Sequence, residues 1–328
     1  MQRKLGRSNI DVSAVGMGCW AIGGLWDFLG NPGGWGEVDD TESLAALHAA
    51  YDHGVTFYDT AANYGAGHSE VILGQAFSDR RDKVVYATKF GYDVDEANKS
   101  VQPYGDHETG DVTPHLREDL EASLRRLNTD YIDLYQFHVN AYNVEKSAEV
   151  RDALETFVTE GKIRFYGWST DNVEGAKVFA EGEHCVAIQA SINVINDNPE
   201  MLALCEALNL ACVIRSPLAM GLLTGKYTKS SQWANTDVRN SDGFRQGMSQ
   251  ALDALPHIRD ILTSEGRTLA QGALAWLWGR SETTIPIPGI RTVKQAEENA
   301  GAMQFGALKP EQMAEIETLL GRSTLAEA

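Results

Sequence analysis

A chain of 328 residues with 43% hydrophobic and 23% charged residues has the composition of a globular protein, long enough for one large domain or two average ones. Its formal net charge of −18 argues against nucleic acid or an anionic membrane as the main partner, though a small anion can still bind at a locally basic site. The start MQRKLGRSNIDVSAVG lacks the apolar core of a signal peptide, and no run approaches the roughly 18 apolar residues of a membrane helix.

Taken in chain order, short β-rich runs alternate with longer amphipathic ones. The leading RKLGRSNIDVSAV reads as a hairpin around a glycine-containing turn. Strands are expected at 12–19, 55–60, 83–90, 131–139, 164–169, 187–192, 211–217 and 283–289, each a nearly continuous apolar run, as in parallel strands covered on both faces. Helical patterns lie between them: TESLAALHAAYDHG, TPHLREDLEASLRRLN, EKSAEVRDALETFVTEGK and NPEMLALCEALN. TPHLRED offers a threonine cap with proline in the first turn, and YDHG and TEGK end on glycine where a left-handed cap needs it.

Eight such alternations with right-handed crossovers predict an α/β fold, a closed (β/α)8 TIM barrel, with the leading hairpin capping its bottom. The rival, an open doubly wound sheet, would carry G-x-G-x-x-G after its first strand, and GMGCWAIGG has the wrong spacing. Three long loops, 23–40, 91–111 and 228–247, each follow a strand and so belong on the catalytic face. With no internal repeat, residues 1–328 are expected to form a single domain. Cys19, Cys185, Cys205 and Cys212 form no CxxC pair and no finger spacing, so free thiols and a cytoplasmic setting are expected.

Barrel sites use side chains at the C-terminal ends of several strands. Asp59 ends the second, Tyr64 lies just beyond it, Lys89 ends the third and His138 ends the fourth. Singly, each has an ordinary explanation: an Asx turn, a rim aromatic, a lysine reaching water, a satisfied histidine. Together they suit hydride addition to a carbonyl, whose alkoxide must take up a proton. A phenol with an ordinary pKa near 10 is a poor donor until a lysine ammonium favours its phenolate. An aspartate can hold that lysine charged, and a histidine can orient the carbonyl. A metal-dependent hydrolase would need more ligands than Asp59 and His138.

The segments YDTAANYG, ATKF and QFH resemble those of the aldo-keto reductase family, in its order and spacing, and the resemblance covers essentially the whole chain. It implies Tyr64 as general acid/base, Lys89 as its activator, Asp59 as the partner of the lysine and His138 as the substrate-orienting group. It also implies NADPH (with NADH possible) lying extended across the barrel mouth, over Gly18, Cys19, Trp20 and Asp59. GWSTDN is similar to the carboxamide-binding segment, with Ser169 matching and Thr170 in place of asparagine; Gln189 matches the other carboxamide contact.

RSPLAMGLLTGKY resembles the segment that wraps the pyrophosphate, implying contacts from Arg215, Ser216, Pro217, Leu218, Gly221, Leu222, Gly225 and Lys226. Relatives usually carry an aromatic at position 215. A guanidinium there places positive charge near an oxidised nicotinamide and should favour the reduced ring. IPIPGIRTVKQAEENAG is similar to the adenosine-end signature, implying Gly289, Arg291 and Thr292 about the 2′-phosphate, with charge from Arg291 and Lys294, Glu298 and Asn299 at the adenine, and further cofactor contacts from Pro288 and Gln295. Many relatives have lysine and arginine where this chain has Gly289 and Gln295, so less charge serves the phosphate.

Trp20, Trp26 and Trp35, with Tyr64 and His138, are the expected substrate pocket for an aldehyde, ketone or alcohol; Phe28, Tyr104 and Trp233 lie on the same loops. Trp276 and Trp278 read as helix packing. The alternative from another class is a catalytically slow cofactor-binding regulatory subunit like the potassium-channel β-subunits. No nucleic acid or membrane partner is expected, and self-association is left open.

Overall fold

Eight short parallel strands follow one another in chain order around a closed sheet. They are β1 (Met17–Gly18), β2 (Phe57–Asp59), β3 (Val85–Phe90), β4 (Ile132–Phe137), β5 (Ile163–Ser169), β6 (Cys185–Ser191), β7 (Ala211–Arg215) and β8 (Thr284–Pro286). The computed structural model, which describes residues 1–106 and 110–322, orders them β8-β7-β6-β5-β4-β3-β2-β1. A bridge between Gly18 and Gly289 closes the ring. The Gly18 N–H donates to Pro288 O at 3.0 Å and the Ile290 N–H to Gly18 O at 3.2 Å. A Cβ on Gly18 would stand 2.8 Å from Ile287 O, so the seam requires glycine.

The helices are α1 (Asp40–Asp52), α2 (His68–Ala76), α3 (Leu116–Leu127), α4 (Val144–Thr159), α5 (Val173–Ala180), α6 (Pro199–Ala207), α7 (Asp242–Thr263), α8 (Leu269–Arg280), α9 (Val293–Gly301) and α10 (Pro310–Leu319). The glycines of YDHG and TEGK, Gly54 and Gly161, have φ of +86° and +74°, as the cap reading requires. Among the described residues no helix is long and apolar enough to cross a membrane. All four cysteines are free and buried.

The eight strands are where the sequence predicts them, with two local differences among them and a third at a helix start. The first predicted run, 12–19, is split: Asp11–Ser13 pairs antiparallel with Gln2–Lys4 in the hairpin, and only Met17–Gly18 joins the barrel. Strand β8 is three residues long because Pro286 and Pro288 have no N–H to give a ladder. The threonine of TPHLRED does not cap: Thr113–His115 forms a 3-10 turn, and α3 begins at Leu116.

The hairpin plugs the N-terminal end of the barrel. Leu5, Ile10 and Val12 pack with Phe57, Val85, Ala87, Leu134, Ala187, Val213 and Ile285 in the barrel's interior core. Side chains alternate along a strand with period two. Asp59, Lys89, Gln136, Gln189 and Arg215 each stand two residues after one of these interior apolar positions, so the layer above the core is polar and faces the opposite, C-terminal mouth.

Two of the three predicted loops carry sheet. Asp27–Phe28, Asn31–Pro32, Tyr92–Asp95 and Ser100–Pro103 form a four-stranded sheet over the mouth, held by Trp26, Ala66 and Val101 with Phe28, Tyr92 and Val94 packed on them. These strands are too short for alternation to mark them in the sequence. The third loop is tied to the first by the Val238 N–H, which donates to Gly34 O at 2.8 Å, and by a bridge between Trp35 and Asp237.

Candidate active site

The strand ends place four side chains at one point. Lys89 Nζ donates to Asp59 Oδ1 at 2.5 Å, to Thr60 O at 2.7 Å and to the Tyr64 hydroxyl at 3.4 Å. The Tyr64 ring meets the His138 ring edge-on, with centroids 5.8 Å apart, and stacks on Trp20 at 5.8 Å. Tyr64 is held by a tight turn: its N–H donates to Ala61 O and its carbonyl accepts from Ser69. The next residue, Gly65, has φ +65° and lies against Gly23, where a Cβ on either would fall within 3 Å of the other's backbone. Close contact between the loops after β1 and β2 therefore sets the phenol's position.

Asp59 is held on both oxygens. Oδ2 accepts from Gln136 Nε2 at 3.0 Å and from Gln189 Nε2 at 2.8 Å, and Gln189 Nε2 also donates to Gln136 Oε1 at 3.1 Å. Gln136 was not among the residues predicted for the site: it opens the QFH segment, but the reading there rested on His138.

Above this floor lies a cavity of about 820 Å³. Its first walls are Gly18, Trp20, Trp26 and Trp35, with Asp59, Tyr64 and His138, then Ser169 and Gln189. The segment after β7 contributes Arg215, Ser216, Pro217, Leu218, Gly221 and Lys226; that after β8 contributes Pro288, Gly289, Arg291, Thr292, Gln295, Glu298 and Asn299. Ser216, Ala219 and Met220 have φ of +55°, +47° and +53°, strained values that cluster where a chain wraps closely around a ligand.

Several predicted residues lie behind the wall. Lys89 is sealed beneath Tyr64 and reaches the cavity only through it. Cys19 is wholly buried, its thiol toward Met17 O. Thr170 donates to Asn140 O at 2.7 Å and accepts from the Asn172 N–H, so its hydroxyl is spent on the turn into α5; Asn140 itself lines the cavity. Leu222 packs with Met248 and Ala251, and Gly225 caps its turn at φ +76°. Trp233 joins Tyr227 and Phe244, Phe28 packs in the accessory sheet, and the Tyr104 hydroxyl donates to Asp119.

Arg239, not predicted, also lines the cavity. Its guanidinium grips Asp237, donates to the Tyr227 hydroxyl at 2.6 Å and lies over Trp35. Its one visible signal is a cation in the third long loop. Arg291 donates to the carbonyls of Trp35 and Glu37, and Arg215 pairs with Asp171. Among the described residues no three His, Cys, Asp or Glu side chains converge to hold a metal.

Burial decides the direction at Tyr64 and His138, and charge decides it at Lys89. Burial raises the Tyr64 phenol, with Lys89 pulling the other way, so the expected acidifying pull is present and outweighed. Burial would lower Lys89, but Asp59 and Tyr64 outweigh it and the amine stays charged. His138 is driven well below the ordinary histidine range by burial, then by Lys89 and Arg215, and is neutral. The floor thus holds a protonated phenol, an ammonium–carboxylate pair and a neutral imidazole, a set able to give one proton to a developing oxyanion.

Comparison with known proteins gives the family and the fold. A sequence model of the Aldo/keto reductase family matches residues 14–320. The NADH-specific methylglyoxal reductase of Escherichia coli is 29% identical over 308 residues, 92% of this chain and 93% of that one. A solved glycerol dehydrogenase of Gluconobacter oxydans superposes with a TM-score of 0.81 at 28% identity, over 100% of this chain and 97% of that one. An aldo/keto reductase of Klebsiella pneumoniae, solved with NADP and acetate, gives 0.70 at 26% identity, over 99% and 97%.

Proposed function

This chain belongs to the aldo/keto reductase family, and from that premise we propose that it transfers a hydride between NADPH and the carbonyl of a small aldehyde or ketone, reversibly. The observation that carries the reading is the charged Lys89 amine, 2.5 Å from Asp59 and 3.4 Å from the Tyr64 hydroxyl, beneath a cavity roomy enough for a dinucleotide.

The residues present suit that cofactor. Ser169 and Gln189 line the cavity and would hold a carboxamide, and the strained turn after β7 with Lys226 suits a pyrophosphate. Arg291 and Lys294 line the adenosine end. Arg291 already donates to two carbonyls, so it offers charge more than free N–H groups, and NADH stays a possible second cofactor. A bound nicotinamide would supply the hydride. Tyr64 gives its proton to the forming alkoxide, Lys89 stabilises the phenolate left behind and Asp59 keeps Lys89 charged. Neutral His138 orients the carbonyl oxygen toward the phenol. The regulatory-subunit alternative is not favoured, since the relatives above bear the names of enzymes.

The test is a carbonyl panel followed by loss of reduced-nicotinamide absorbance, with NADPH and NADH side by side. Tyr64→Phe should lose about 10²–10⁴-fold in reduction while still binding cofactor. Equal rates in variant and parent would remove Tyr64 from its assigned role.

A further inference from the structure

We propose that Gln136 is a positioning residue for cofactor recognition: with Asp59 it consumes both N–H bonds of Gln189, leaving that wall an acceptor only. The inference rests on the function proposed above and concerns how its nicotinamide end is read.

The argument begins with Asp59. An ionised carboxylate can only accept, so any amide facing it must present its NH2 end. Oδ1 is taken by Lys89, and both Gln136 and Gln189 turn Nε2 toward Oδ2, at 3.0 and 2.8 Å. The second proton of Gln189 goes to Gln136 Oε1 at 3.1 Å. Turning the Gln189 amide over would set its oxygen against a buried carboxylate and against Gln136 Oε1 at once. All three side chains are essentially sealed from solvent, so no water relieves that repulsion.

Gln189 Oε1 is then the only part of the amide left for the cavity that the residue lines. A group received there must donate a hydrogen bond. A primary carboxamide does; a methyl ketone or a carboxylate in its place does not. Gln136, which does not line the cavity, acts through Gln189 by pinning the plane of its amide. The same carboxylate thereby fixes the amine beneath the phenol and the polarity of the cofactor wall.

The experiment is a fluorescence titration, using the cavity tryptophans, with NADP+, its thionicotinamide analogue (which keeps the NH2) and its 3-acetylpyridine analogue (which lacks it). The parent should bind the first two alike and the third weaker by about tenfold, the effect of one unmade buried hydrogen bond. In Gln136→Met the amide of Gln189 keeps one anchor and can pivot, so the gap should narrow several-fold; in Gln189→Met it should close. Equal binding of the acetylpyridine analogue and NADP+ by the parent overturns the inference and leaves the reductase reading standing. So does an undiminished gap in a folded Gln136→Met protein. A parent that binds none of the three overturns both. Should Gln136→Met not fold, Gln136→Asn, whose shorter amide draws back from Gln189, makes the same three-ligand comparison, and an undiminished gap there overturns the inference.

Discussion

The Lys89 ammonium sits 2.5 Å from the Asp59 carboxylate, and the two side chains are 0% and 2% exposed. Removing one member of a buried pair leaves an uncompensated charge, which costs about 3–5 kcal/mol. Lys89→Met should therefore destabilise the fold by that order in urea unfolding and abolish carbonyl reduction. Adding Asp59→Asn to Lys89→Met removes the stranded charge, so stability should partly return while activity does not. Full additivity of the two losses would show that the pair is not coupled.

The pH profile of reduction follows from the directions already given. His138 stays neutral because its pKa lies well below its ordinary 6.5, so kcat/KM should show no step there. On the proposed reading the acid form of Tyr64 is the active one in reduction, and burial raises its pKa above the ordinary 10. The rate should hold constant through neutrality and fall only as pH rises beyond that value. A limb near 6.5 in the parent, absent when His138 is replaced, would contradict this assignment.

A second titration concerns the fold. Burial raises Asp119 from its ordinary 3.8 to about 7; Tyr104 donates to its Oδ1 at 2.5 Å, and Oδ2 has no partner. The folded protein holds this proton more tightly than the unfolded chain, so stability falls as pH rises from about 4 to about 7 and the penalty is complete above that range. Asp119→Asn cannot ionise. Its melting temperature should exceed the parent's by roughly 2 °C at pH 8, for about 1 kcal/mol, with the difference vanishing near pH 4. Solvent at the half-buried side chain screens the effect.

Charge can be added where the proposed reading puts the 2′-phosphate. A Cβ built on Gly289 meets nothing within 4 Å, and the residue's φ is not positive, so a side chain is tolerated there. Gly289→Lys should tighten NADP+ binding about three- to tenfold and leave NAD+ unchanged, as measured by titration at low salt. An equal gain for both cofactors would mean that the lysine does not serve the 2′-phosphate.

Most of the barrel could be read before any coordinates. Val, Ile, Tyr and Phe runs of strand length, glycines at the helix ends and the order YDTAANYG, ATKF, QFH are local or evenly spaced signals. The alternation that carries Phe57 inward carries Asp59 inward two residues later, and the same step puts Lys89 above Ala87. Backbone geometry imposes that period whatever surrounds it.

Contacts between distant segments supplied the rest. The strands at 27–32 and 92–103 exist only because two loops meet and share Trp26, Phe28 and Val101. Thr170 matched a motif position, yet its hydroxyl is bound to Asn140, 30 residues earlier in the chain. Gln136 stands in QFH, but its role appears only when Asp59 and Gln189 surround it. Arg239 becomes part of a cavity wall only when its loop crosses to Trp35. The sign of the Tyr64 shift belongs here too, because it weighs burial against one ammonium. Sequence shows that the ammonium is there, but how much water is excluded depends on everything packed around it.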